Sequence, residues 1–96
     1  MSMKTWEDYK RYAKEIDEQA KRDIEEMETI ASIISMIISK RNSLGISQRE
    51  LACKCGMPQS SVARIESLKT TPNLDTLIKL MKPLGLELSV VCSKNN

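Results

Sequence analysis

The sequence predicts an all-α domain with an N-terminal helical extension and one short C-terminal β-strand. Three observations lead there. The first 44 of the 96 residues contain neither glycine nor proline, and their apolar residues recur every three to four positions. From Gly45 onward, glycine, proline and capping residues cut the chain into shorter pieces with the same helical period. The last apolar stretch, 86–91, instead alternates apolar and polar residues, the period of a strand. The length suits one small domain plus an appendage. The extension is expected at 1–22 and the domain at 23–96.

Trp6, Tyr9, Tyr12, Ala13, Ile16 and Ala20 share one face of a helix predicted over 5–20. A second helix, predicted over 21–43, carries Ile24, Met27, Ile30, Ala31, Ile34, Ile37 and Ile38 and ends before Gly45. Ile33 and Met36 fall off that stripe, so the middle of this helix is apolar on two sides and is expected to bury both. Ser47 and Glu50 have the spacing of a capping box, which opens a helix at Gln48 that stops at Gly56. Pro58, preset for a first helical turn, opens the next helix, which runs through Val62 and Ile65 to about Ser67. Only Gly56 and Met57 separate the two, which is the spacing of a helix-turn-helix. Residues 68–71 form a polar loop closed by Pro72. Asn73 then caps a helix bearing Leu74, Leu77, Ile78, Leu80 and Met81, broken by Pro83 and Gly85. Leu86, Leu88, Val90 and Val91 mark the predicted strand. A lone strand needs a ladder partner, and pairing with the same strand of a second copy across a two-fold axis would supply one. The two-sided helix at Ile33 to Ile38 is the other candidate interface for such a homodimer.

Composition narrows the function. The chain is 41% hydrophobic and 29% charged, and its longest apolar run, Ile33 to Ile38, is far shorter than the roughly 20 residues that cross a bilayer. No membrane partner is expected. The opening MSMKTWEDYK lacks an apolar signal-peptide core, and three cysteines, an odd count, fit a reducing cytoplasm. With no histidine, the commonest general base and metal ligand is missing, so an enzyme is not expected. Cys53 and Cys55 form CxC rather than CxxC and read as free cysteines on a helix, so no metal and no cofactor are expected. Charge is unevenly spread: residues 1–39 hold six Lys/Arg against nine Asp/Glu, whereas 40–96 hold nine against four. The back half is the candidate for a polyanionic partner, the front half for a basic one.

Ser47-Gln48-x-Glu50-Leu51-Ala52, Gly56, Ser61-Val62-x-Arg64-Ile65-Glu66, Pro72 and Leu74-x-x-Leu77 together strongly resemble the phage-repressor and Cro-like helix-turn-helix family, the xenobiotic-response-element (XRE) type. The resemblance covers about residues 37–86. It implies a lambda-repressor-like five-helix domain and double-stranded DNA, read as a palindromic operator, as partner. On the matched positions it implies base contacts from Gln59, Ser60 and Arg64. These side chains suit the task, since Gln pairs bidentately with adenine and Arg with guanine. It implies phosphate contacts from Ser47, Gln48, Ser61, Ser67, Lys69 and Thr70, and a structural ion pair between Arg41 and Glu66. Leu51, Ala52, Cys55, Val62 and Ile65 read as core. The sequence departs from the family at Pro58, where Ser or Thr usually caps, and at Leu68, where glycine or a polar residue commonly ends the helix.

The whole layout, an acidic helical extension before the DNA module, also resembles antitoxins of the HigA type from bacterial toxin–antitoxin systems. That implies a repressor of its own operon that also binds a basic toxin. Trp6, Tyr9 and Tyr12 are then candidate anchors for that partner. Read from the residues alone, packing of the first helix on the second is the favoured role for them. A stand-alone regulator without a toxin, or an interaction module that has lost DNA binding, are the other readings of the chain.

Overall fold

The computed structural model describes residues 5–93. It contains α1 (Trp6–Ser43), α2 (Gln48–Cys55), α3 (Gln59–Glu66), α4 (Leu74–Met81) and a 3-10 turn (Lys82–Leu84). By contacts the chain falls into two units, Met1–Ala31 and Ser32–Asn96.

Two expectations are corrected. The helices predicted over 5–20 and 21–43 are one helix, α1, of 38 residues. No glycine, proline or cap interrupts the chain there, and side chains bridge the expected break: Gln19 donates to Asp23 (2.9 Å) and Arg22 to Gln19 (3.0 Å). The helix starts where the Thr5 hydroxyl accepts from the Asp8 amide (3.1 Å), and its acidic first turn and basic last turn complement its dipole. The second correction concerns Leu86, Leu88, Val90 and Val91, which form no strand; 86–93 has no regular secondary structure. Alternating side chains alone do not hold a strand without a ladder partner, and the described residues of this chain contain none. Leu86 is half-buried, while Leu88, Val90 and Val91 face solvent.

In the first unit none of the described side chains is buried, so its helical form rests on local interactions. The core lies in the second unit. Ile34 and Ile37 of α1, Leu51 and Ala52 of α2, Val62 and Ile65 of α3, Leu77, Leu80 and Met81 of α4, and Leu84 are each at most 8% exposed. Burying each larger side chain contributes about 1.5 to 3 kcal/mol. Cys55, read as core, is only half-buried; its thiol donates to the Lys79 carbonyl (3.1 Å) and so links α2 to α4. Burial pushes that thiol's pKa up, partly opposed by the Lys79 charge.

Four helical segments end in the same way. After α1, the Gly45 amide donates to Asn42 and that of Ile46 to Arg41; after α2, Gly56 to Cys53 and Met57 to Ala52. After the 3-10 turn, Gly85 donates to Lys82 and Leu86 to Met81; after α3, Leu68 to Ile65 and Lys69 to Arg64. This paired pattern is the Schellman motif, whose first residue sits in the left-handed region. The chain has three glycines, and they fill three of these positions. The fourth is Leu68, at φ 61°. A leucine there is strained by about 1 to 2 kcal/mol. Leu68 is 36% exposed, so trimming it also gives up burial, and two truncations separate the terms: Leu68→Gly should be about 1 kcal/mol more stable than Leu68→Ala, which loses the same burial but keeps a side chain in the left-handed region. Urea unfolding followed by circular dichroism measures this, and a glycine variant no more stable than the alanine variant would refute the strain.

Candidate nucleic-acid interface

The Ser47 hydroxyl accepts from the Glu50 amide (3.0 Å) and the Glu50 carboxylate accepts from the Ser47 amide (3.4 Å), so the capping box sets where α2 begins. α3 starts at Pro58 without a side-chain cap. Leu51 and Ala52 pack with Val62 and Ile65, which orients α3 with Gln59, Ser60 and Arg64 in solvent. Ser60 and Arg64 are four residues apart and so lie one turn apart on the same face. Among the described residues Arg64 makes no ion pair, which leaves its guanidinium available.

Beneath this face lies a part-buried polar contact. Arg41 Nε donates to Glu66 Oε2 (2.8 Å) and Nη2 to Oε1 (2.9 Å), a two-point contact joining α1 to α3. The side chains are 11% and 7% exposed, so this pair is largely out of water. Arg41 Nη1 also donates to the Ile46 carbonyl (2.9 Å), and Gln48 Nε2 to Glu66 Oε1 (3.0 Å). Three elements and the α1–α2 loop therefore meet on one carboxylate and one guanidinium.

The residues proposed for the phosphates fall into separate places. Ser61 and Thr70 meet Arg64 around a polar groove of roughly 290 Å³, which also takes in Thr71, Asn73 and Thr76. Sequence reasoning did not single out Thr71 or Thr76 for this site. The only signal for Thr76 is its place three residues after the cap Asn73, whose side chain accepts from the Thr76 amide (2.9 Å). Ser47 and Gln48 lie instead at the start of α2, and Gln48 already holds Glu66. The Ser67 hydroxyl donates to the Arg64 carbonyl (3.2 Å), while Lys69 is exposed in the loop. Trp6 and Tyr12 are exposed on α1, with the Lys10 ammonium 5.5 Å from the Trp6 ring centre. Tyr9 lies on the same helix, with its side chain outside the described positions. Among the described residues no cluster of Cys, Asp and Glu could hold a metal ion, and no helix is long and apolar enough to cross a membrane.

Removing one member of this part-buried pair leaves the other charge uncompensated. Arg41→Ala and Glu66→Ala should each lower stability by about 3 kcal/mol, and Gln48→Ala by about 1 kcal/mol. Replacing both charges at once, Arg41→Met with Glu66→Leu, should cost less than either single change. A urea melt in which the double replacement is the worst of the set would contradict this account.

Comparison with known proteins agrees with the geometry. The family model described as Helix-turn-helix matches residues 37–91. The chain is 44% identical over 69 residues to an uncharacterized HTH-type transcriptional regulator of Haemophilus influenzae, an alignment spanning 72% of this chain and 70% of that protein. It is also similar to the solved structure of a toxin–antitoxin module from Streptococcus pneumoniae, with a TM-score of 0.63 and 42% identity over 75% of this chain and 79% of that one.

Proposed function

This chain belongs to the helix-turn-helix family of XRE-type regulators, and from that premise we propose that it is a cytoplasmic, sequence-specific DNA-binding repressor. It binds a palindromic operator as a homodimer and serves as the antitoxin of a toxin–antitoxin module that it autoregulates. One observation carries the DNA-binding part: α3 is fastened from below by Arg41 and Glu66 while Gln59, Ser60 and Arg64 stay exposed on it. Such a helix, rigid at its base and polar on its outer face, suits the major groove. Ser61 and Thr70 beside Arg64, together with Ser67 and Lys69, fit phosphate contacts flanking that groove. Ser47 and Gln48 offer a second grip through the start of α2, and Gln48 spends one amide hydrogen on Glu66.

The antitoxin part is supported by the similar toxin–antitoxin module and by the front of the chain. The acidic residues of 1–39 are repelled by phosphate but attracted by a basic protein. Trp6, Tyr12, Ile16 and Ile24 are exposed along α1 and supply apolar contact to such a partner.

Gel shifts and footprinting on the DNA upstream of its own gene test the repressor reading. Arg64→Ala should reduce affinity for the operator while leaving random DNA nearly unaffected. Lys69→Ala should weaken both and lower the salt slope by about one unit. Equal losses on both DNAs for both variants would overturn the division of roles. For the partner, the paired change Trp6→Ala and Tyr12→Ala should abolish co-purification with the product of the neighbouring gene and leave operator affinity unchanged. Retained co-purification would assign those side chains to packing alone.

A further inference from the structure

Val62 and Ile65 of α3 lie in the core, Glu66 holds Arg41, and Ser61 lines the groove beside the loop. That leaves Gln59, Ser60, Ala63 and Arg64 for the outer face. Ala63 is the one apolar side chain of α3 that the core does not take, and it is half-buried while Gln59, Ser60 and Arg64 are exposed. At about 100° per residue, the four follow one another around the helix in the order Gln59, Ala63, Ser60, Arg64. Long side chains therefore stand at the two edges of the face and short ones at its centre.

This profile suits a concave surface. The major groove is about 12 Å wide and 8.5 Å deep, and a helix with its side chains is about 10 to 12 Å across. Long side chains at the centre of the face would hold the helix off the groove floor. With Ala63 and Ser60 there, the backbone can come close to the base edges while Gln59 and Arg64 reach outward to either side. What then meets Ala63 is the edge of a base pair stripped of water. A methyl group neither donates nor accepts, so a base amino group, ring nitrogen or carbonyl covered by it loses a hydrogen bond to water and gains none. Among the four DNA bases only thymine presents an apolar group in the major groove, its C5-methyl.

We infer that Ala63 is a specificity-determining residue that reads a thymine by contact between the two methyl groups, so that each half-site carries a thymine within two base pairs of the one read by Gln59. The spacing follows from the helix. Ala63 is four residues, about 6 Å, along the axis from Gln59, and successive base pairs are about 3.4 Å apart. Ser60, the other central side chain, is tolerant of the base it meets, because a hydroxyl both donates and accepts. The inference rests on the DNA-binding reading and deepens it by naming one base of the preferred sequence.

Selection of the full chain against random-sequence duplexes gives the preferred site whatever gene lies nearby. Fluorescence anisotropy then compares that site with copies in which each thymine in turn is replaced by deoxyuridine, which lacks only the methyl. One replacement in each half-site, within two base pairs of the position where Gln59→Ala loses discrimination, should weaken wild-type binding on the order of fourfold. For Ala63→Gly the same replacement should cost nothing, and the comparison holds whatever glycine does to overall affinity because it is made within one variant. Ala63→Ser disturbs the helix less than glycine and puts a hydroxyl into the contact, so it should show a reduced ratio. An alanine present only as a good helix former would move melting and leave the ratio of thymine to deoxyuridine affinities the same in all three proteins. That result, or a wild-type protein indifferent to every replacement, would overturn the inference while leaving the DNA-binding reading intact. A chain that selects no sequence at all would sink both.

Discussion

The two-point contact between Arg41 and Glu66 is the interaction on which the geometry of the domain depends. Hydrophobic packing of Leu51, Ala52, Val62 and Ile65 brings α2 and α3 together but is tolerant of small rotations, because apolar contacts have no preferred direction. A guanidinium facing a carboxylate through two parallel hydrogen bonds has a fixed plane. It converts loose proximity into a set orientation. Gln48 and the Ile46 carbonyl occupy further donor and acceptor positions of the pair, so its desolvation is compensated from three sides. An apolar replacement could match its energy, but not its dictation of which way Ser60 and Arg64 point.

The helix ends impose a second, independent constraint. Each short helix gains little from propensity, since one of eight residues leaves half its backbone groups without helical partners. Caps therefore matter as much as core. Ser47 and Asn73 satisfy amides at the starts of α2 and α4, and left-handed residues satisfy carbonyls at the ends. The helix without a side-chain cap, α3, is also the one closed by a strained leucine. It has neither a side-chain cap at its start nor a glycine at its end, and Val62, Ile65 and Glu66 hold it from beneath. Local conformational cost thus falls on the helix that carries the candidate base contacts, in keeping with the tendency of strain to gather at functional positions.

Most of this architecture was legible in the sequence because its signals are short-range. A capping box, a glycine or a proline acts within four residues, and helical periodicity shows in a single window, so α2, α3 and α4 were readable from residues 47–81. The helix-turn-helix resemblance rests on the same local marks, and the matching family model covers that stretch. What failed was what depends on an absent partner or on the absence of a signal. Residues 86–91 alternate as a strand does, but a strand is a property of two segments, and alternation in one cannot supply the second. The break expected near residue 20 rested on reading two apolar patterns as two helices, with no breaker between them, and Gln19, Arg22 and Asp23 join the turns across it. The groove beside Arg64 was only half visible, since Thr71 and Thr76 reach it through a loop and a neighbouring helix rather than through α3.

α1 runs as one helix from Trp6 to Ser43, and helix formation is cooperative along the chain. Starting a helix is unfavourable because several residues must be ordered for the first hydrogen bond, whereas adding a residue to an existing helix costs little. In α1 the nucleus is supplied by the core: Ile34 and Ile37 are buried and Arg41 is clamped, so the last turns are helical whatever the first turns do. Residues 6–31 can then propagate from that end, although none of their described side chains is buried. Their local stability should consequently decline toward Trp6, since each turn further out depends on all the turns behind it. A partner that grips the exposed side chains near Trp6 would stabilise the most easily lost turns. It would add ordering to the extension without needing to alter the orientation of α3, because the Arg41 clamp lies at the opposite end of the same helix.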